Sequence, residues 1–125
     1  QMMLNGGVWN GKRICSEMTV RRSIQQFGSL QIDRTMMIPM RFSAGMMLGG
    51  NPVGLWGQQS RHAFGHIGLI NKLCWADAAR DISVSLLNTG IPIVGHHLPA
   101  LARFVYTVCD RFPLIPENRR PLVAA

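Results

Sequence analysis

Hydrophobic and polar positions follow two periods along this chain, and changes of period mark its elements. In Ile82-Ser83-Val84-Ser85-Leu86-Leu87 apolar residues recur at every second position before the run turns apolar. That is the period of a strand with one buried face. Asn88-Thr89-Gly90 closes it. Upstream, Ala63–Gly68 reads as a short glycine-rich strand and Asn71–Ala76 as a second, with a polar turn over 77–81 between the second strand and the third. Further on, Leu101, Phe104, Val105 and Val108 share one helical face, and Pro99 suits a first helical turn. The pattern predicts a helix from about Leu98 to Cys109. Three strands joined by short turns make an antiparallel meander. The helix has to bury its stripe, and the sheet face is the nearest place to do so. The expected fold class is therefore α+β, an antiparallel meander flanked by helices, with the C-terminal helix packed on the sheet.

The first half of the chain is less periodic. Gln1–Asn5 followed by Gly6-Gly7 reads as the last turn of a helix with a glycine stop. That helix would lie upstream of Gln1, so the chain is expected to be the downstream part of something longer. Asn10-Gly11 predicts a tight turn. Ser16 before Glu17 predicts a capped helix running to Gln26 and stopping at Gly28. Residues 28–38 show no period and read as loop. Met40–Leu48 reads as one strand, and 49–62 as a long loop of the kind that often carries function.

Composition narrows the classes. At 125 residues and 47% hydrophobic, the chain suits one modest globular domain, not a disordered one. No apolar run approaches the ~18 residues of a membrane span, and no basic-then-apolar leader is visible after Gln1, which is itself not a natural start. Three cysteines at wide spacing form neither a disulfide framework nor a CxxC pair. They read as buried free thiols, which favours a reducing, cytoplasmic setting. The net charge of +7 comes mostly from scattered arginines. A nucleic-acid binder gathers charge beside a recognisable motif, and no such motif is present. A solvated basic surface, or one that meets acidic sequence outside the chain, is expected instead.

The densest candidate chemistry is Phe64-Gly65-His66-Ile67-Gly68. Glycine inside a strand marks close approach of a ligand or of another backbone. A histidine between two such glycines can donate, accept or shuttle a proton near neutral pH. The adjacent His96 and His97, even with His62, His66 and Cys74, match no usual metal spacing, so neither metal nor cofactor is expected. Asp77 and Asp81 read as solvated turn residues, and the eight methionines as adaptable core. Trp56 suits either the lining of an acyl pocket or a cap on the core.

The order of these pieces resembles the C-terminal portion of serine hydrolases related to class C β-lactamases, penicillin-binding proteins and their esterase cousins. The matching text is Phe64–Gly68, then Leu73-Cys74-Trp75-Ala76-Asp77, then Arg80-Asp81-Ile82 through Leu87-Asn88-Thr89. Gln1–Gly7, Gly11–Ser16 and Thr19-Val20 are similar to text upstream of the sheet in that family. The resemblance covers roughly residues 1–110. It implies acyl transfer through a serine in Ser-x-x-Lys, helped by a tyrosine motif. Neither motif is in these residues: no serine has lysine three positions on, and the single tyrosine, Tyr106, falls on the predicted C-terminal helix.

What the resemblance implies for this chain is one wall of a site. His66 stands where the family has Lys or His, and would meet the catalytic tyrosine or a substrate carbonyl. The backbone N–H of Leu69 would be an oxyanion-hole donor, and Gly68 would let an acyl group lie along the strand. Ile67 replaces the threonine of true β-lactamases, which favours an ester or lactone over a β-lactam. Residues 1–125 are then the C-terminal part of one β-lactamase-like domain, inactive alone, with a small ester or lactam as substrate and possible self-association through exposed sheet edges. Two other readings stay open: a non-catalytic α+β interaction or structural module, and a basic nucleic-acid binder.

Overall fold

A computed structural model describes residues 1–34, 36–68, 72–89, 95 and 97–120. The chain opens with a turn closed as a Schellman motif. Gly7 N–H reaches Met2 O, Gly6 N–H reaches Met3 O, and Gly6 takes φ +58°. β1 (Val8–Trp9) and β2 (Lys12–Arg13) form a hairpin whose two loop residues, Asn10 and Gly11, both have positive φ. That is the signature of a type I′ turn. The Ser16 side chain accepts the Thr19 N–H at 3.1 Å and starts α1 (Glu17–Ile24). This helix ends two residues before the expected Gln26. Gln25 is already extended, because Phe27 N–H joins the sheet at Phe42 O and Gln26 holds Arg41.

The main sheet has six antiparallel strands in the order β10-β9-β8-β5-β4-β3. These are β3 (Gln31–Asp33), β4 (Ile38–Phe42), β5 (Met47–Leu48), β8 (Ala63–Gly68), β9 (Lys72–Asp77) and β10 (Ile82–Leu86), with a small hairpin of β6 (Val53–Gly54) and β7 (Gly57–Gln58) between β5 and β8. The β8-β9-β10 meander matches the sequence reading. Two expectations upstream are corrected. Residues 28–38, read as loop, contain edge strand β3, which is mostly exposed and so carries no alternation. The expected strand Met40–Leu48 is a hairpin. Ser43 turns the chain, its N–H donating to Met46 O and its Oγ accepting the Met46 N–H.

Both sheet faces are covered. On one, Leu4, Val20 and Ala78 pack with Leu48, Phe64 and Ala76. On the other, α2 (Leu98–Arg111) lays Leu101, Phe104, Val105 and Val108 against Trp56, Ala63, Leu73 and Trp75. The helical stripe expected from the sequence is the one buried.

Asp77 corrects the reading of it as a solvated turn residue. It is 1% exposed, and Arg80 meets it at 2.7 Å. Arg80 also donates to Gln58 O and Gln59 O, so the buried pair ties the end of β9 to the loop after β7. Cys74 corrects the reading of all three thiols as buried: it is exposed, while Cys109 is buried.

Gly65 pairs with Trp75 across β8 and β9, and a Cβ there would collide with Cys74 O and the Trp75 backbone and Cβ. Gly68 is different, since the nearest atom to a Cβ there is Lys72 Cβ at 3.5 Å. Gly65→Ala should therefore cost about 1–3 kcal/mol in urea unfolding, the scale of an overpacked site. Gly68→Ala should stay within about 0.5 kcal/mol. Equal effects would contradict this division of roles.

Candidate active-site wall

β8 is built so that its two ends differ. Along its whole length it pairs with β9, from Ala63 opposite Asp77 to Gly68 opposite Lys72. On its other side β5 reaches only Phe64 and Gly65. Among the described residues, His66, Ile67 and Gly68 thus have a strand neighbour on one side only. An open strand edge presents backbone N–H and C=O groups that need partners.

Alternation sends these residues to opposite faces. Ile67 joins the cluster beneath α2, so toward the open face it offers backbone only. His66 and Gly68 lie on the other face and are exposed. His66 Nδ1 sits 2.8 Å from Ile67 O. A carbonyl oxygen only accepts, so Nδ1 carries a proton in this contact, and in the neutral ring Nε2 is then the acceptor. Cys74 stands opposite His66 and Lys72 opposite Gly68, with Ser85 opposite Cys74 on β10. The Ser85 hydroxyl lies 3.6 Å from the Cys74 sulfur. The strand pairing therefore gathers a polar strip of His66, Cys74, Lys72 and Ser85. Sequence reasoning missed the grouping, since it depends on register across two turns.

The remaining candidates fall elsewhere. Leu69 lies outside the described residues, as does His96. Trp56 is 1% exposed and stacks on Trp75 with ring centroids 5.5 Å apart. Its indole N–H donates to Met47 O at 2.9 Å. Of its two sequence readings, the core is where it sits. Tyr106 lies on α2, partly exposed. No group of three potential metal ligands is gathered among the described residues, and no described helix is long and apolar enough to cross a membrane.

Just before β8, His62 is half-buried and its pKa is lowered, first by burial and then by the nearby Arg120 and Arg61, against a weaker opposite pull from Asp77.

No family model matches the chain, and no curated protein matches it. Among solved structures it is similar to the crystal structure of a family VIII carboxylesterase, with a TM-score of 0.62 and 22% identity over 86% of this chain. The chain spans 29% of that protein's length. The likeness is one of fold: the α+β arrangement of this chain matches part of that protein.

The lowered pKa of His62 has a consequence for stability. A histidine that resists protonation when folded takes up its proton more readily when unfolded. The fold is then favoured above the unfolded value of about 6.5 and loses that advantage as pH falls below it. The urea midpoint should drop between pH 7.5 and 5.5, and His62→Gln should drop less over the same interval. An identical drop in the variant would contradict the assignment.

Proposed function

We propose that this chain forms one wall of the active site of a serine hydrolase of the β-lactamase-like class, acting on esters through an acyl-enzyme. The observation that carries the reading is the open edge of β8 at His66-Ile67-Gly68, in a sheet shared in fold with a carboxylesterase. In the proposed chemistry a serine from sequence outside these residues attacks the substrate carbonyl, and the C–O bond to the leaving alcohol breaks after a tetrahedral intermediate. The amide of Leu69 donates to the oxyanion. Removing one such donor typically costs roughly 2.7–4 kcal/mol of barrier. Gly68 carries no side chain that would stand between the acyl group and the strand, and it is exposed on that face. His66, with Nε2 as acceptor, orders the hydroxyl of a tyrosine supplied with the serine.

The same reading takes residues 1–125 as the C-terminal part of a single domain whose Ser-x-x-Lys and tyrosine motifs come from preceding sequence. Exposed Phe27, Ile32 and Met37 on and beside edge strand β3 support it, because a lone domain ordinarily blunts or covers such an edge. The alternative of a non-catalytic α+β module is equally compatible with a chain that holds no nucleophile motif, and activity separates the two.

The purified 125-residue chain should turn over neither p-nitrophenyl butyrate nor nitrocefin. A longer product of the same gene should hydrolyse the ester, with kcat/KM lowered at least tenfold by His66→Ala. Turnover by the short chain that resists serine-directed inhibitors would contradict the proposal, as would full activity of the longer His66→Ala protein.

A further inference from the structure

A cavity of about 310 Å³ opens between α1 and the sheet, at the start of β8 and away from its His66 end. Its lining includes Arg21, Arg41, Arg61 and His62 above an apolar floor of Leu48 and Phe64. No acidic side chain is among its lining residues. Glu17 lies outside it and holds Arg21 at 2.9 Å where both are open to solvent, while Asp77 is committed to Arg80.

Arg41 is held in place. Its Nε donates to Gln26 Oε1 at 2.8 Å and its Nη1 to Gly49 O at 2.7 Å. Burial and the neighbouring Arg61 lower its pKa, and His62 is lowered by burial and nearby arginines as well. Like charges crowded around a partly buried hollow repel one another, and an anion placed among them relieves that repulsion. A guanidinium fork matches an oxyanion group in two parallel hydrogen bonds. The floor adds a second requirement. Leu48 and Phe64 bring no side-chain hydrogen-bonding group to the cavity, so a ligand end seated on them finds no polar partner there and has to be apolar itself. The volume lies at the lower end of small-ligand sites, which span roughly 300–1,000 Å³.

We propose that this cavity binds a small carboxylate carried on an apolar body, such as an arylcarboxylate, with the carboxylate among Arg41, Arg61 and Arg21 and the body on Leu48 and Phe64. The site is independent of the hydrolase reading, since it uses no residue of the His66 wall.

The test is a calorimetric titration of the 125-residue chain with benzoate, with benzyl alcohol as the neutral counterpart and inorganic phosphate as the anion lacking an apolar body. Benzoate should bind saturably and at least tenfold more tightly than either. Arg61→Gln should weaken it roughly tenfold, the scale of one charge-assisted hydrogen bond. Arg61 is the informative position because it is exposed, whereas Arg41 also braces Gly49 and Gln26. Lys12→Gln, on the β1-β2 hairpin, removes the same charge elsewhere and should leave binding within twofold. Benzoate binding no tighter than benzyl alcohol, phosphate binding tighter than benzoate, or equal weakening by Arg61→Gln and Lys12→Gln would overturn the proposal.

Discussion

The indole of Trp75 is the contact on which the arrangement of β8 depends. Trp75 stands opposite Gly65, where any side chain would collide with its Cα and Cβ and with Cys74 O, and its indole stacks on Trp56 and meets Phe104 edge-on at 6.2 Å. Trp56 in turn bonds to Met47 O on β5. One aromatic cluster therefore joins β9, β8, β5, the loop before β7 and α2. It also fixes parity. With Gly65 under Trp75, Ile67 must face the α2 layer, and His66 and Gly68 must face outward. A slip of one residue would reverse every side chain of the strand.

The two glycines flanking His66 illustrate how far the sequence could be read. Together they signalled a close approach, and the sequence left open whether a ligand or another backbone made it. The structure separates them: a side chain at Gly65 would collide with β9, whereas one at Gly68 would make only ordinary contact with Lys72. The meander, the Asn10-Gly11 turn, the Ser16 cap and the α2 stripe were legible because each rests on local chemistry or on a clear period. Edge strand β3 was not, because exposed residues on a short edge carry no alternation. Asp77 and Arg80 were not, because a charged pair three residues apart looks the same whether solvated or buried. Their burial is decided by the β7 loop that closes over them, more than twenty positions away. Nor was the cationic hollow, whose arginines come from α1, β4 and the approach to β8.

β8 thus carries different chemistry at its two ends. Its beginning is locked between strands, with the cavity and its arginines on one face and the tryptophan stack on the other. At its end β5 no longer pairs with it, and among the described residues that edge has no strand partner beside the exposed His66. A site wall needs this combination: a rigid base that holds position and an unpaired margin that a substrate can approach. The fold shared with part of a carboxylesterase is compatible with that use, and the chain spans 29% of that protein's length.

The most direct measurement is to sequence the coding DNA immediately upstream of the Gln1 codon. An open frame encoding Ser-x-x-Lys, followed by a tyrosine motif before Gln1, is the result this account predicts. A stop codon or a frame with no Ser-x-x-Lys in that stretch would contradict it.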